Sequence, residues 1–229
     1  MKFGIVTFPG SNCDQDISYV LNNILNQDTV QLWHKDENLQ NCDVIVLPGG
    51  FSYGDYLRSG AIASFSSIMN SIVKFAKSGG IIIGICNGFQ ILCESKLLPG
   101  ALLHNNSHKF ICKNTYLSVT SNSSYFTNKY SLNQVIKIPV AHGEGRYHAD
   151  DYTLNSLRKN DQIIFQYCNR TGEINEDSNV NGSALNIAGI CNKSRNVFGM
   201  MPHPERASDS ELNNFDGLNF FLSALDTST

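Results

Sequence analysis

The sequence predicts an α/β protein: a three-layer α/β/α sandwich whose sheet is mostly parallel and doubly wound, with some antiparallel strands in the C-terminal half. Three observations predict it. In the first hundred residues, short β-branched runs alternate with stretches whose apolar residues recur at helical spacing, which is the rhythm of βαβ units. The most apolar run, Ile81-Ile82-Ile83, follows Gly79-Gly80 and reads as a buried strand. From about Ala101 the rhythm breaks into short runs set among Asn- and Ser-rich connections, the pattern of antiparallel strands.

Residues 2–8 form the first strand, stopped by Pro9-Gly10. Asn12 and Gln15 have the spacing of a helix cap and its partner, and Ile17, Val20, Leu21, Ile24 and Leu25 follow at helical spacing. Residues 29–33 make a second strand and 44–47 a third, ending in Pro48-Gly49-Gly50, from which a glycine-rich loop runs to Gly60. Ile62, Phe65, Met69, Ile72, Val73 and Ala76 mark one face of a second helix, closed by Gly79-Gly80. The fourth strand delivers Cys86, and Phe89, Ile91 and Leu92 begin the next helix. In such sheets ligands sit at the carboxyl ends of strands, so the loops after strands three and four share one rim. Residues 115–119, 135–140, 163–168, 184–191 and 197–201 read as antiparallel strands. Leu212, Phe215, Leu218, Phe221, Leu222 and Leu225 form the apolar side of a closing helix. No repeat and no long linker divides the chain, so one domain over residues 1–229 is expected.

The bulk properties narrow the function classes. A net charge of −3 and a pI near 6, with Lys and Arg scattered, give no footprint for nucleic acid. The start passes straight into a strand pattern without the regions of a signal peptide, and no apolar run approaches the ~18 residues of a membrane span. Seven cysteines is an odd number, and none forms a Cys-x-x-Cys pair. That argues against a disulfide framework or zinc ribbon and for a reducing cytoplasm. His104 and His108 have the spacing of a metal pair, but they flank Asn105-Asn106-Ser107, a loop pattern without an acidic ligand nearby. No metal site is expected.

Two segments carry chemistry. In Gly84-Ile85-Cys86-Asn87-Gly88 a buried strand passes into a helix through one strained residue, with no room for a Cβ on either side. The thiol then lies at a helix N-terminus, which favours the thiolate. A cysteine there could be packing alone. Pro202-His203-Pro204-Glu205 shifts the balance, because two prolines hold the backbone extended and project His203 and Glu205 to one side. A surface turn with a salt bridge would not need that rigidity. Cys86 as nucleophile, His203 as base and Glu205 as orienting acid make acyl transfer the expected chemistry. An oxyanion hole should complete the site, with the Asn87 N–H as one donor and the Gly49-Gly50-Phe51 loop supplying the other.

Gly84-Ile85-Cys86-Asn87-Gly88-Phe89-Gln90 together with Pro202-His203-Pro204-Glu205 resembles the class I (triad) glutamine amidotransferases. Longer strings resemble the branch of that family serving purine biosynthesis: residues 8–14, 48–58, 141–147, 181–183, 186–190 and 199–206. The resemblance implies a glutaminase that hydrolyses L-glutamine through a Cys86 thioester. It implies that Gln90 and a strand of Ala141, His142, Gly143 and Glu144 hold the amino-acid end of the substrate, and that Gly50 and Asn87 line the oxyanion hole. It further implies no cofactor in this chain. ATP and Mg would be used by a large synthetase subunit (PurL type) that converts formylglycinamide ribonucleotide to the formylglycinamidine ribonucleotide, beside a small third subunit (PurS type). Ser59 and Ser64 depart from the usual Ala and Arg, and residues 104–130 match no motif. Cys13 is read as packing or a partner contact. Two other readings compete: a stand-alone cysteine hydrolase or peptidase of the same topology, and a non-enzymatic chaperone or sensor with an elbow cysteine. A peptidase would not be expected to carry Gln90 with His142-Gly143-Glu144, and a sensor would not need Pro-His-Pro-Glu.

Overall fold

β-Branched side chains have few rotamers to lose and pack well on a pleated surface, and the central strands of this protein are built largely of them. The computed structural model describes residues 1–226. In chain order its elements are β1 (Lys2–Thr7), α1 (Asp14–Tyr19), β2 (Asp28–Trp33), β3 (Val44–Leu47), α2 (Ser67–Lys77), β4 (Ile81–Ile85) and α3 (Asn87–Glu94). Then come β5 (Ala101–Leu103), β6 (Ile111–Val119), β7 (Val135–His142), β8 (Arg146–His148), α4 (Asp151–Lys159), β9 (Ile163–Cys168), β10 (Ile187–Cys191), β11 (Val197–Met200) and α5 (Leu218–Leu225). Among the described residues, nine strands form one sheet in the order β2-β1-β3-β4-β11-β10-β9-β6-β7, and β5 pairs with β8 apart from it.

The strands from β2 to β11 in that order run parallel, and the remainder pair antiparallel. The connection β1 to β2 moves one way along the sheet and β3 to β4 moves the other. Right-handed crossovers therefore place α1 and α2 on opposite faces, which is the doubly wound arrangement. The reversal falls between β1 and β3. There the loops beyond the two strand ends meet: Ser11 bridges Gly50, and the Phe51 N–H donates to the Gly10 carbonyl.

Several elements differ from the sequence expectation. β11 was expected among the antiparallel strands; it pairs antiparallel with β10 but parallel with β4. Asn12 does not cap α1; Cys13 occupies the N-cap, and the Asn12 Oδ1 accepts from its thiol instead. Phe65 does not face the core, because Ala63–Phe65 is a separate 3-10 turn that leaves its ring 87 % exposed, and α2 buries Ile68, Met69, Ile72 and Ala76. The closing helix starts at Leu218. Leu212, in a turn closed by the Asp209–Asn214 bridge, and Phe215, just after it, precede the helix and are exposed, whereas Phe220, Phe221 and Ala224 reach the core. Ala184–Asn186 is a 3-10 turn leading into β10. The strand expected through Glu144 ends at His142, leaving Gly143 and Glu144 in the turn toward β8. Among the described residues, no helix is long and apolar enough to cross a membrane.

Candidate active site

The sharpest local feature is the turn from β4 into α3. Cys86 sits there with φ 51° and ψ −106°, a conformation that costs a side-chain-bearing residue on the order of 1–3 kcal/mol. Its backbone is held from both sides, its N–H donating to the Met200 carbonyl at 2.7 Å and its carbonyl accepting from the Gln90 N–H at 3.2 Å. Both neighbouring glycines are needed. A Cβ on Gly88 would stand 1.9 Å from the Leu47 carbonyl oxygen, and one on Gly84 would stand 2.7 Å from the Gly88 oxygen and 2.5 Å from Leu92 Cδ1. The turn is tight because α3 begins directly against the end of β3.

β11 lies beside β4, so its exit loop brings Pro202-His203-Pro204-Glu205 to the same rim. His203 and Glu205 are buried, and His203 Nδ1 lies 2.6 Å from Glu205 Oε1. The His203 N–H donates to the Pro139 carbonyl of β7, which fixes the ring's attachment. Burial opposes a charge on His203, but the Glu205 carboxylate, and after it the Cys86 and Cys13 sulfurs, outweigh it and hold the imidazole well above its ordinary value. Nε2 of His203 and Oε2 of Glu205 have no hydrogen-bond partner among the described residues.

Gly49 is where these groups converge. A Cβ there would lie 2.8 Å from His203 Cε1, 3.0 Å from Cys13 Sγ and 3.4 Å from Cys86 Cβ. Cys13 adjoins the His203 ring, and its sulfur accepts from Arg206 Nη2 at 3.0 Å. Ligand atoms of Cys13, His203 and Glu205 lie within 4.8 Å of one another, a donor set that suits zinc in kind. The Arg206 guanidinium against the same sulfur puts a permanent positive charge where a cation would have to sit. The Phe51 N–H is spent on Gly10, so of the loop 49–51 it is not a free donor for an oxyanion.

A cavity of about 150 Å³ opens beside the thiol, lined by Gly50, Phe51, Gln90 and the 141–144 segment together with Cys86. Cys86 Sγ lies 3.6 Å from the Ala141 carbonyl. A relay of amides braces the wall. The Ser52 N–H donates to Asn87 Oδ1, Asn87 Nδ2 to Gln90 Oε1 at 2.9 Å, and Gln90 Nε2 to the Glu144 carbonyl at 2.6 Å. His142 is fixed in one tautomer. The buried Asn105 spends its NH2 on two carbonyls, so its Oδ1 accepts from the Gly145 N–H and from His142 Nδ1–H. Burial, then the proximity of His203, lowers the His142 pKa to about 4 and keeps it neutral. Of the residues named from sequence, Gly50, Phe51, Cys86, Gln90, Ala141, His142, Gly143 and Glu144 line the cavity, whereas Gly49, Asn87, His203 and Glu205 do not.

Four lining residues were not anticipated: Asp55, Ser59, His104 and Phe110. Phe110 pairs with Phe51 at a centroid distance of 6.3 Å, two half-exposed rings at the mouth. His104 lies 3.5 Å from Glu144, so the acidic group absent from its local sequence is supplied by the fold. Burial raises the Asp55 carboxyl to about 6, a bond from Ser59 opposes the rise, and the nearby Glu144 charge adds to it.

The family model for a CobB/CobQ-like glutamine amidotransferase domain matches residues 1–217. The phosphoribosylformylglycinamidine synthase subunit PurQ of Koribacter versatilis is 54% identical over 223 residues, 97% of this chain and 96% of the relative. Its counterpart from Moorella thermoacetica is 53% identical over 226 residues, covering 99% and 96%. Among solved structures, a chain of PurLQS from Thermotoga maritima superposes with a TM-score of 0.87 at 43% identity, covering 100% of this chain and 99% of that one.

Proposed function

The chain belongs to the CobB/CobQ-like glutamine amidotransferases, and from that premise we propose that Cys86, His203 and Glu205 carry its chemistry. The protein is an enzyme, the glutaminase subunit that supplies ammonia for phosphoribosylformylglycinamidine synthesis in purine biosynthesis. It works beside a PurL-type synthetase subunit and a PurS-type small subunit. The observation that carries the assignment of residues is the convergence on Gly49 of the strained elbow thiol and the Glu205-paired imidazole.

In the reaction, the Cys86 thiolate attacks the side-chain carbonyl of glutamine, forming a C–S bond as the carbonyl electrons move to oxygen. The Asn87 N–H at the start of α3, with Gly50 across from it, stabilises that oxyanion. His203 gives its proton to the departing nitrogen, the C–N bond breaks, and ammonia leaves a thioester. Water then adds to the thioester with His203 as base, releasing glutamate. Glu205 holds the ring and stabilises its charged form. Gly49, Phe51, Gln90, Ala141, His142, Gly143 and Glu144 shape the glutamine pocket. ATP and Mg serve the partner's acceptor step, and this chain needs no cofactor of its own. A single domain over 1–229 agrees with a family match spanning 1–217. A cytoplasmic site suits seven cysteines that are all free.

The test uses the assembled complex with Cys86→Ala. Truncating one sulfur at the rim leaves fold and docking nearly unchanged. Amidation driven by glutamine should vanish, whereas product should still form from ammonium salt at a pH that supplies free ammonia. Retained glutamine activity would overturn the triad; loss of both activities in an intact complex would give Cys86 a wider role.

A further inference from the structure

We propose that Asp55 is a specificity-determining residue of this site, its carboxylate receiving the α-ammonium group of glutamine; the inference rests on reading the cavity beside Cys86 as the glutamine pocket. The cavity wall is unbalanced in charge. It carries two carboxylates, Asp55 and Glu144, and among the described lining residues no lysine or arginine. It is also short of free donors. One N–H of the Gln90 amide is spent on the Glu144 carbonyl, and Nε2 of the buried His142, left unprotonated by the Asn105 lock, has no partner among the described residues. A wall of acceptors calls for a cationic donor, and the free amino acid glutamine brings one, two methylenes and one Cα from the carboxamide that must meet Cys86.

Of the two acids, Asp55 is the one without a basic side chain beside it. Glu144 Oε2 accepts from the Ser59 N–H at 3.3 Å, and its Oε1 lies 3.5 Å from His104 Nδ1. Asp55 has only neutral donors, the Ser59 side chain and, at a long 3.5 Å, Asn87 Nδ2, whose shorter bond, 2.9 Å, goes to Gln90. The backbone presents it deliberately. Tyr53, Gly54 and Asp55 all have positive φ, 54°, 66° and 54°, which turns the loop back on itself over the cavity. Aspartate and asparagine tolerate that region better than most side chains do. Half-burying one acid opposite another is unfavourable in the empty site, and an arriving ammonium relieves both costs together.

The experiment compares wild type and Asp55→Asn in the assembled complex. The substitution removes charge while keeping size and suiting the left-handed backbone. Two ligands are used: L-glutamine, and glutaramate (4-carbamoylbutanoate), which has the same carboxamide and carboxylate without the α-amino group. The variant should raise KM for glutamine about tenfold (~1.4 kcal/mol) with kcat changed by less than about threefold. The KM of glutaramate, or its inhibition constant where it is not turned over, should move less than about twofold. Ammonia-driven amidation by the same complex reports folding and docking. Equal losses on both ligands, or a fall in kcat at unchanged KM, would overturn the inference and assign Asp55 to bracing Asn87. A wild-type complex that fails to hydrolyse glutamine would instead refute the underlying reading of the cavity.

Discussion

Replacing Gly88 by alanine tests the geometry of the elbow without touching any reactive atom. The added Cβ would lie 1.9 Å from the Leu47 carbonyl oxygen and 2.7 Å from its carbon, and both are backbone atoms that no rotamer change can move. Restoring ordinary contact, roughly 3.2 Å or more, needs the start of α3 and the end of β3 to part by about 1.3 Å. Such overpacking costs typically 1–3 kcal/mol and more where backbone must shift; with two backbone clashes, about 3 kcal/mol is expected. For a chain of this size that lowers Tm by about 6–12 °C. The same displacement carries Cys86 and the Asn87 N–H away from His203, and a misplacement near 1 Å costs on the order of a hundredfold in turnover. Gly143→Ala is the stability control: it also lines the cavity, but its added Cβ would meet only Phe110 Cδ2, at 3.7 Å. Denaturant midpoints and glutaminase rates of the assembled complex give both readouts. Gly88→Ala with a Tm within 2 °C of wild type and full activity would refute the claim that the elbow admits no side chain.

A diazo-ketone analogue of glutamine should label the protein once, at Cys86; label that survives Cys86→Ser, or maps to Cys13 beside the same imidazole, would contradict the assignment. Glu205→Gln should lose less turnover than His203→Ala, since an amide still holds Nδ1 although it can favour the wrong tautomer, and the reverse order would count against an orienting role. His142, held neutral when folded with its pKa at about 4, stabilises the fold above pH 6.5 and loses that contribution as pH falls toward 4, because the unfolded chain takes up the proton first. Its share of the loss between pH 7 and pH 5 should be roughly 2 kcal/mol. Urea titrations of His142→Gln should show a correspondingly shallower decline, and a slope equal to wild type would mean that His142 is charged in the fold.

The elbow that carries Cys86 and the loop that sets His203 beside Glu205 were legible in the sequence because such turns need particular residues: glycine around Cys86 and proline around His203. β1 and β3 were legible because each is short, apolar and followed by Pro and Gly, and β4 because an unbroken isoleucine run follows Gly79-Gly80. Asp55 was not, since nothing in its local string distinguishes a pocket acid from a solvated one; only the fold brings Glu144 opposite. Phe65, Leu212 and Phe215 continue an apolar spacing into segments that leave the helix, so periodicity alone assigned them to a core they do not reach. Helix α4 went unread because Leu157 is its one fully buried residue. The direction of β11 could not be read from its composition, as Val, Phe and Met suit a strand of either sense.

The position of β11 has a consequence for how the protein comes into being on the ribosome. The strand that leads to Cys86 ends at residue 85, and its hydrogen-bonded neighbour on the far side begins at residue 197. Until more than a hundred further residues are made, β4 is an open edge of isoleucines, the kind of edge that invites pairing with another chain. The same delay means that no nascent fragment lacking β11 holds His203 against Cys86. With Cys86 and His203 as the proposed pair, glutamine cleavage waits until the last strand slots into the middle of the sheet, and a half-made chain has no means to squander the cell's amide nitrogen.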